Sequence, residues 1–108
     1  MVTVDESLLK EIVSRIVREA HPRKIVLFGS RAREDAKGES DIDLLVIAES
    51  DEPRHRRSVG LYGALSDIIV PMDVIVYTPE EVEDWSGVRQ AFVTTAIREG
   101  KVLYEEKP

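Results

Sequence analysis

The sequence has 108 residues, of which 33% are charged and 43% are hydrophobic, and its net charge is −6. This length predicts one domain over residues 1–108, and the hydrophobic share is typical of a globular protein rather than a disordered one. The sequence lacks cysteine and any apolar run long enough to span a membrane, which predicts a cytoplasmic protein without disulfides. The acidic balance does not favour nucleic-acid binding, because proteins that bind phosphate backbones usually carry a basic excess.

Five helices are predicted from apolar spacing, caps and prolines. The first ends before Pro22, and Thr3 and Glu6 have the spacing of a capping box at its start. The second helix follows Gly29-Ser30, and the third begins at Pro53. The fourth begins with the capping box of Thr78 and Glu81, and the fifth carries Val88 and ends near Gly100.

Four strands are predicted, over residues 24–28, 41–49, 72–77 and 102–104. In the second strand both faces become apolar after Asp41 and Asp43, which predicts a central strand that is covered on both sides. The alternation of helices and strands predicts a small α/β domain. The basic cluster of residues 54–57 is expected to be a solvated helix start.

Acidic residues at strand starts are the candidate site. Asp41 and Asp43 lie two residues apart on a strand, so they point to the same face. Two adjacent carboxylates repel each other unless a cation joins them, and Mg²⁺ prefers such oxygen ligands. Asp73 reaches the same place if the third strand lies beside the second. Each feature alone is typical of an exposed strand end or a turn, but Gly29-Ser30, followed by the acidic pair and a later aspartate, is a more specific combination.

These residues resemble a known family. Gly29-Ser30-Arg31-Ala32-Arg33, followed by Ser40-Asp41-Ile42-Asp43-Leu44-Leu45-Val46, is similar to the signature of the minimal nucleotidyltransferases of the DNA-polymerase-β-like superfamily. The resemblance runs from Ile25 to about Tyr104. It implies a small mixed β-sheet flanked by helices.

The resemblance also implies roles for individual residues. Asp41 and Asp43 would ligate two Mg²⁺ ions, and Asp73 would complete the ion on the attacking side and help to deprotonate the incoming hydroxyl. The ATP substrate would be held by the loop after the first strand, through Gly29, Ser30 and Arg31.

The partner is inferred from size and family. A chain of 108 residues leaves little room beyond a catalytic core, so the acceptor would be presented by a separate protein. The resemblance to the antitoxins of two-gene toxin–antitoxin modules implies a HEPN-type toxin as partner, silenced by transfer of AMP to a tyrosine. Trp85 and the segment through Tyr104 are candidate contacts.

Two alternatives remain open. One is a non-catalytic antitoxin that neutralises the toxin by binding alone, although the three aspartates favour an enzyme. The other is a receiver-like phosphoacceptor domain, which also clusters aspartates at strand ends. The Gly29-Ser30 loop upstream of the acidic pair argues against the receiver-like domain.

Overall fold

The computed structural model describes residues 5–29 and 41–107. The helices in these ranges are Glu6–Ala20 (α1), Val59–Ala64 (α2), Pro79–Trp85 (α3) and Phe92–Glu99 (α4), with a 3₁₀-helix at Arg54–Arg56. The strands are Lys24–Phe28 (β1), Ile42–Ile47 (β2), Met72–Tyr77 (β3) and Lys101–Glu105 (β4). All four predicted strands are therefore confirmed to within two residues at each end. The helix predicted after Gly29-Ser30 lies outside the described residues.

The strands form one sheet in the order β3-β2-β1-β4. β1 is antiparallel to both β2 and β4, whereas β2 and β3 are parallel. Two parallel neighbours need a crossover connection, and here the 3₁₀-helix and α2 lie in that connection. The sheet is mixed, as the resemblance implied.

The core has two parts, one on each face of the sheet. Successive residues of β2 alternate between the faces because side chains in a strand have a period of two. Ile42, Leu44 and Val46 pack in the cluster that includes residues of α1 and α2, whereas Leu45 and Ile47 pack with residues of α4. The prediction of a central strand covered on both sides is confirmed, as is the α/β class.

The capping residues agree with the sequence in one helix and differ in another. Thr78 accepts a hydrogen bond from the Glu81 amide at 3.2 Å, and the Glu81 carboxylate accepts one from the Thr78 amide at 2.9 Å, so this capping box is confirmed. Thr3, the cap predicted for α1, lies outside the described residues. Asp5 is the N-cap there, because its carboxylate accepts a hydrogen bond from the Leu8 amide at 2.9 Å.

The last helix starts later than predicted. Ala91 is its N-cap, with extended backbone at φ −61° and ψ 142°, so Val88 lies in the preceding turn and is 42% exposed. No helix within residues 5–29 and 41–107 is both long enough and apolar enough to cross a membrane.

The cluster of residues 54–57 is solvated only in part, because residues 54–56 are exposed and Arg57 is not. The Arg57 side chain is only 10% exposed and pairs with Glu81 at 2.6 Å. Arg54 also contacts Glu81, at 3.2 Å, and its guanidinium lies 4.4 Å from the centre of the Tyr77 ring. These contacts hold the connection between β2 and β3 against the start of α3, and the backbone there forms a 3₁₀-helix rather than a helix from Pro53. The neighbouring arginines lower the pKa of Glu81 to about 2, Arg57 most of all.

Candidate active site

The three predicted aspartates lie at one end of the sheet, where β2 and β3 begin. The parallel register pairs Asp43 directly with Asp73, so the two side chains project from the same face. Asp41 is exposed and stands one residue before β2, two positions from Asp43. The structure therefore brings these carboxylates together in what we call the acidic edge: Asp41, Asp43 and Asp73.

Burial and neighbouring negative charge both act on Asp43. Burial raises the pKa of this half-buried carboxyl, and so do the negative charges of Asp73 and Asp41 and a hydrogen bond with Asp73. A cation bound at the acidic edge would offset the negative charge around Asp43.

The acidic edge is where the sequence predicts a shared metal ion. In the parts of the chain that the structure describes, no group of three or more His, Cys, Asp or Glu side chains is placed to hold a metal ion. Sharing of one ion by all three aspartates stays a prediction.

Gly29 joins the loop after β1 to the acidic edge. Its φ is +77°, in the left-handed region that favours glycine. A Cβ at this position would lie 2.5 Å from Oδ2 of Asp43. Its neighbour Phe28 pairs with Asp43 across the antiparallel strands. The backbone at Gly29 therefore lies directly against the Asp43 carboxylate. Ser30 and Arg31, the other predicted nucleotide-binding residues, lie outside the described residues.

The outer edge of β3 is held by side chains from the crossover connection. The Val74 amide donates a hydrogen bond to the Tyr62 hydroxyl at 2.8 Å, and Arg57 donates one to the Val76 carbonyl at 3.3 Å. These bonds satisfy backbone groups that an edge strand would otherwise leave unpaired. They also fix the strand that carries Asp73. No pattern in the sequence indicated this contact of Tyr62.

A cleft of about 300 Å³ opens beside Gly29, between the end of β1 and α4. We call it the Phe92 cleft, and its lining includes Phe28, Gly29, Gln90, Phe92, Glu99 and Gly100. The Phe92 side chain, at the start of α4, is 45% exposed. Helical periodicity could not reveal this cleft, because it depends on how α4 lies across the end of β1.

The fold and the acidic edge define a class. The resemblance to nucleotidyltransferases implied a loop after the first strand beside carboxylates on the next two strands. The structure has this arrangement, with a glycine of positive φ in the loop. The family model described as "Polymerase beta, Nucleotidyltransferase" matches residues 10–108. The chain belongs to this nucleotidyltransferase family.

Two further comparisons agree with this family. The chain is 29% identical, over 104 residues, to a proposed protein adenylyltransferase of Methanocaldococcus jannaschii, with 93% of this chain and 98% of the relative covered. It is also similar to a chain in a crystal structure of a toxin–antitoxin with AMP-PNP, with a TM-score of 0.57 and 23% identity. That match covers 92% of this chain and 74% of the other, and it bears on the fold alone.

Proposed function

We propose that the protein transfers AMP from ATP to a hydroxyl of a partner protein, a tyrosine of a HEPN-type toxin, and thereby acts as its antitoxin. The observation that carries this proposal is the direct pairing of Asp43 with Asp73 beside Gly29. The relative described as a protein adenylyltransferase supports the reaction. The similar fold was solved in a toxin–antitoxin with AMP-PNP, and we extend the partner class and the nucleotide of that structure to this chain as part of the proposal.

The reaction is a displacement at phosphorus. The acceptor hydroxyl oxygen attacks the α-phosphorus of ATP, and the bond from that phosphorus to the β-phosphate oxygen breaks, releasing pyrophosphate. The hydroxyl proton passes to a carboxylate of the acidic edge. Asp73 suits this role because it is exposed on an edge strand, where a partner protein can approach it.

The acidic edge has the donor set that Mg²⁺ prefers. All three side chains supply carboxylate oxygens. Burial raises the pKa of Asp43, and so do the negative charges of Asp73 and Asp41, which a cation would offset. Asp41 and Asp43 would hold two Mg²⁺ ions, with Asp73 added on the attacking side. When bound, the ions neutralise charge on the phosphate oxygens. Ser30 and Arg31 would add hydrogen bonds and charge for the phosphates.

The binding surface for the partner is proposed outside the acidic edge. Trp85 at the end of α3 and Val88 in the following turn are large apolar side chains that are 45% and 42% exposed. Such side chains suit a protein interface better than water. Tyr104, the other candidate from the sequence, is half-buried against the core.

Mass spectrometry of the partner tests the proposal. The purified toxin is incubated with this protein, ATP and Mg²⁺, and its intact mass is measured together with its toxic activity. We expect one added AMP with the parent and with Asp84→Ala, which removes an exposed aspartate on α3, and none with the double variant Asp41→Ala/Asp43→Ala. If the parent adds no mass and the double variant still neutralises the toxin fully, the protein is a non-catalytic antitoxin instead.

A further inference from the structure

We propose that the Phe92 cleft binds the nucleobase of the substrate, with Phe92 as the stacking wall and Glu99 as the group that selects adenine. This inference rests on the proposed function and goes beyond it, since neither the family signature nor the acidic edge says where the base lies.

The cleft lies next to the residues that are proposed to hold the phosphates. The cleft is lined by Phe28 and Gly29, and both residues also contact or pair with Asp43. Phosphates held at Gly29 and the acidic edge therefore leave the rest of the nucleotide next to the mouth of the cleft. A volume of about 300 Å³ lies at the small end of ligand pockets, as expected for part of a nucleotide rather than the whole molecule.

One wall of the cleft is the Phe92 ring, which is held in place by two other aromatic rings. Phe28 packs edge-to-face on Phe92, with ring centres 5.2 Å apart and planes at 82°, and Tyr77 lies 6.4 Å from the same ring. These contacts restrain the Phe92 ring although it is 45% exposed. A restrained and partly exposed aromatic face is suited to stacking on a base.

The bottom of the cleft is closed by backbone atoms. A Cβ on Gly100 would meet the Ala96 carbonyl, and it would lie 2.5 Å from Cγ1 of Val26 and 2.8 Å from the Leu27 carbonyl. The chain after α4 thus lies close against β1, and side chains on α4 have a fixed position relative to Gly29. This rigidity favours recognition of one flat ligand over loose apolar binding.

The polar groups of the lining favour an amino-bearing base. One oxygen of the Glu99 carboxylate accepts a hydrogen bond from Arg98 at 3.2 Å. A carboxylate only accepts hydrogen bonds, so its other oxygen suits the exocyclic amino group of adenine and disfavours the carbonyl that guanine and hypoxanthine carry there. The Gln90 amide can both donate and accept. The Thr95 hydroxyl donates to the Arg89 carbonyl at 3.2 Å, so its oxygen remains able to accept.

Binding measurements with three probes test this assignment. Calorimetry with Mg²⁺ compares ATP, ITP and inorganic tripolyphosphate, which has no base. Phe92→Ala should weaken ATP binding by about 5- to 150-fold, the range of one base–aromatic stack, and leave tripolyphosphate binding unchanged. Val59→Ala is the control, because Val59 is an apolar side chain on α2 that is 63% exposed and lies outside the cleft, and it should change neither affinity.

A second variant addresses base selection without removing an aromatic contact. Glu99→Gln should lower the preference for ATP over ITP by at least about fivefold, since the new amide can donate to the hypoxanthine carbonyl. If Phe92→Ala stays folded by circular dichroism and binds ATP as the parent does, or if Glu99→Gln keeps the parent's preference, the base lies elsewhere and the inference is overturned. The proposed function itself fails in a different way, with a parent that binds neither ATP nor tripolyphosphate.

Discussion

Substitution of Gly29 should reduce the rate of AMP transfer far more than it reduces the stability of the fold. The φ of +77° at Gly29 is costly for any other residue, and a Cβ would lie 2.5 Å from Oδ2 of Asp43. We expect Gly29→Ala to leave the protein folded but to displace the Asp43 carboxylate. Because that carboxylate is the free end of a side chain, it can rotate away at little cost to the fold.

The size of the effect follows from two opposing contributions. A left-handed conformation costs a residue with a Cβ about 1–2 kcal/mol. The alanine also reduces the entropy of the unfolded chain, which offsets about 0.4–1 kcal/mol of that cost. The net loss in the free energy of unfolding should be about 1 kcal/mol, or about 4–8 °C in Tm for a domain of this size.

Gly63→Ala is the matched control, since nothing lies within 4 Å of a Cβ there and the position is in α2. Alanine should stabilise this helix by about 0.5–1 kcal/mol and leave transfer unchanged. Both variants are followed by urea unfolding and by the rate of AMP transfer to the partner. We expect Gly29→Ala to lose at least about 100-fold in rate, because misplacement by about 1 Å can cost that much. Full transfer activity in a folded Gly29→Ala protein would refute the placement of the reaction against Asp43.

Further predictions concern charge and the phosphate loop. Asp43→Asn should abolish transfer, and it should raise the free energy of unfolding of the metal-free protein at neutral pH because repulsion at the acidic edge is reduced. A lower free energy of unfolding, measured with denaturant in the absence of Mg²⁺, would contradict this. Glu81 has a pKa lowered from 4.5 to about 2, so its contribution to stability is present above pH 4.5 and is lost as the pH falls through its folded pKa. Glu81→Gln should therefore cost about 1–2 kcal/mol at pH 7, less than the full linkage value because the carboxylate is 24% exposed, and should flatten the loss of Tm in acid. Ser30→Ala should weaken ATP binding by about fivefold in calorimetry, the value of one net hydrogen bond, whereas an unchanged affinity would remove Ser30 from the phosphate site.

The strands and the acidic pair could be predicted from local sequence. Short apolar runs bounded by glycine, proline and charged residues identify strands, and a spacing of two places Asp41 and Asp43 on one face. The pairing of Asp73 with Asp43 could not be predicted in the same way. It depends on which strands are neighbours and on their direction, and both are set by the crossover that packs α2 against the sheet.

Contacts between distant elements account for what the sequence did not indicate. Arg54 and Arg57 form a local basic cluster, but they contact Glu81 more than 20 positions along the chain. The Thr78–Glu81 capping box was recognisable because its residues are three apart, whereas the ion pairs of Glu81 with the two arginines were not. The Phe92 cleft was missed for the same reason, since it forms only where Gly100 brings the end of α4 onto β1.

Transfer of label from ATP tests the central claim most directly. The partner toxin is incubated with this protein and Mg²⁺, in parallel with ATP labelled at the α-phosphate and with ATP labelled at the γ-phosphate. We expect only the α-label to become covalently attached to the toxin, and we expect Asp43→Asn to abolish the attachment. Attachment of the γ-label, or α-label incorporation that is undiminished in Asp43→Asn, would contradict this expectation.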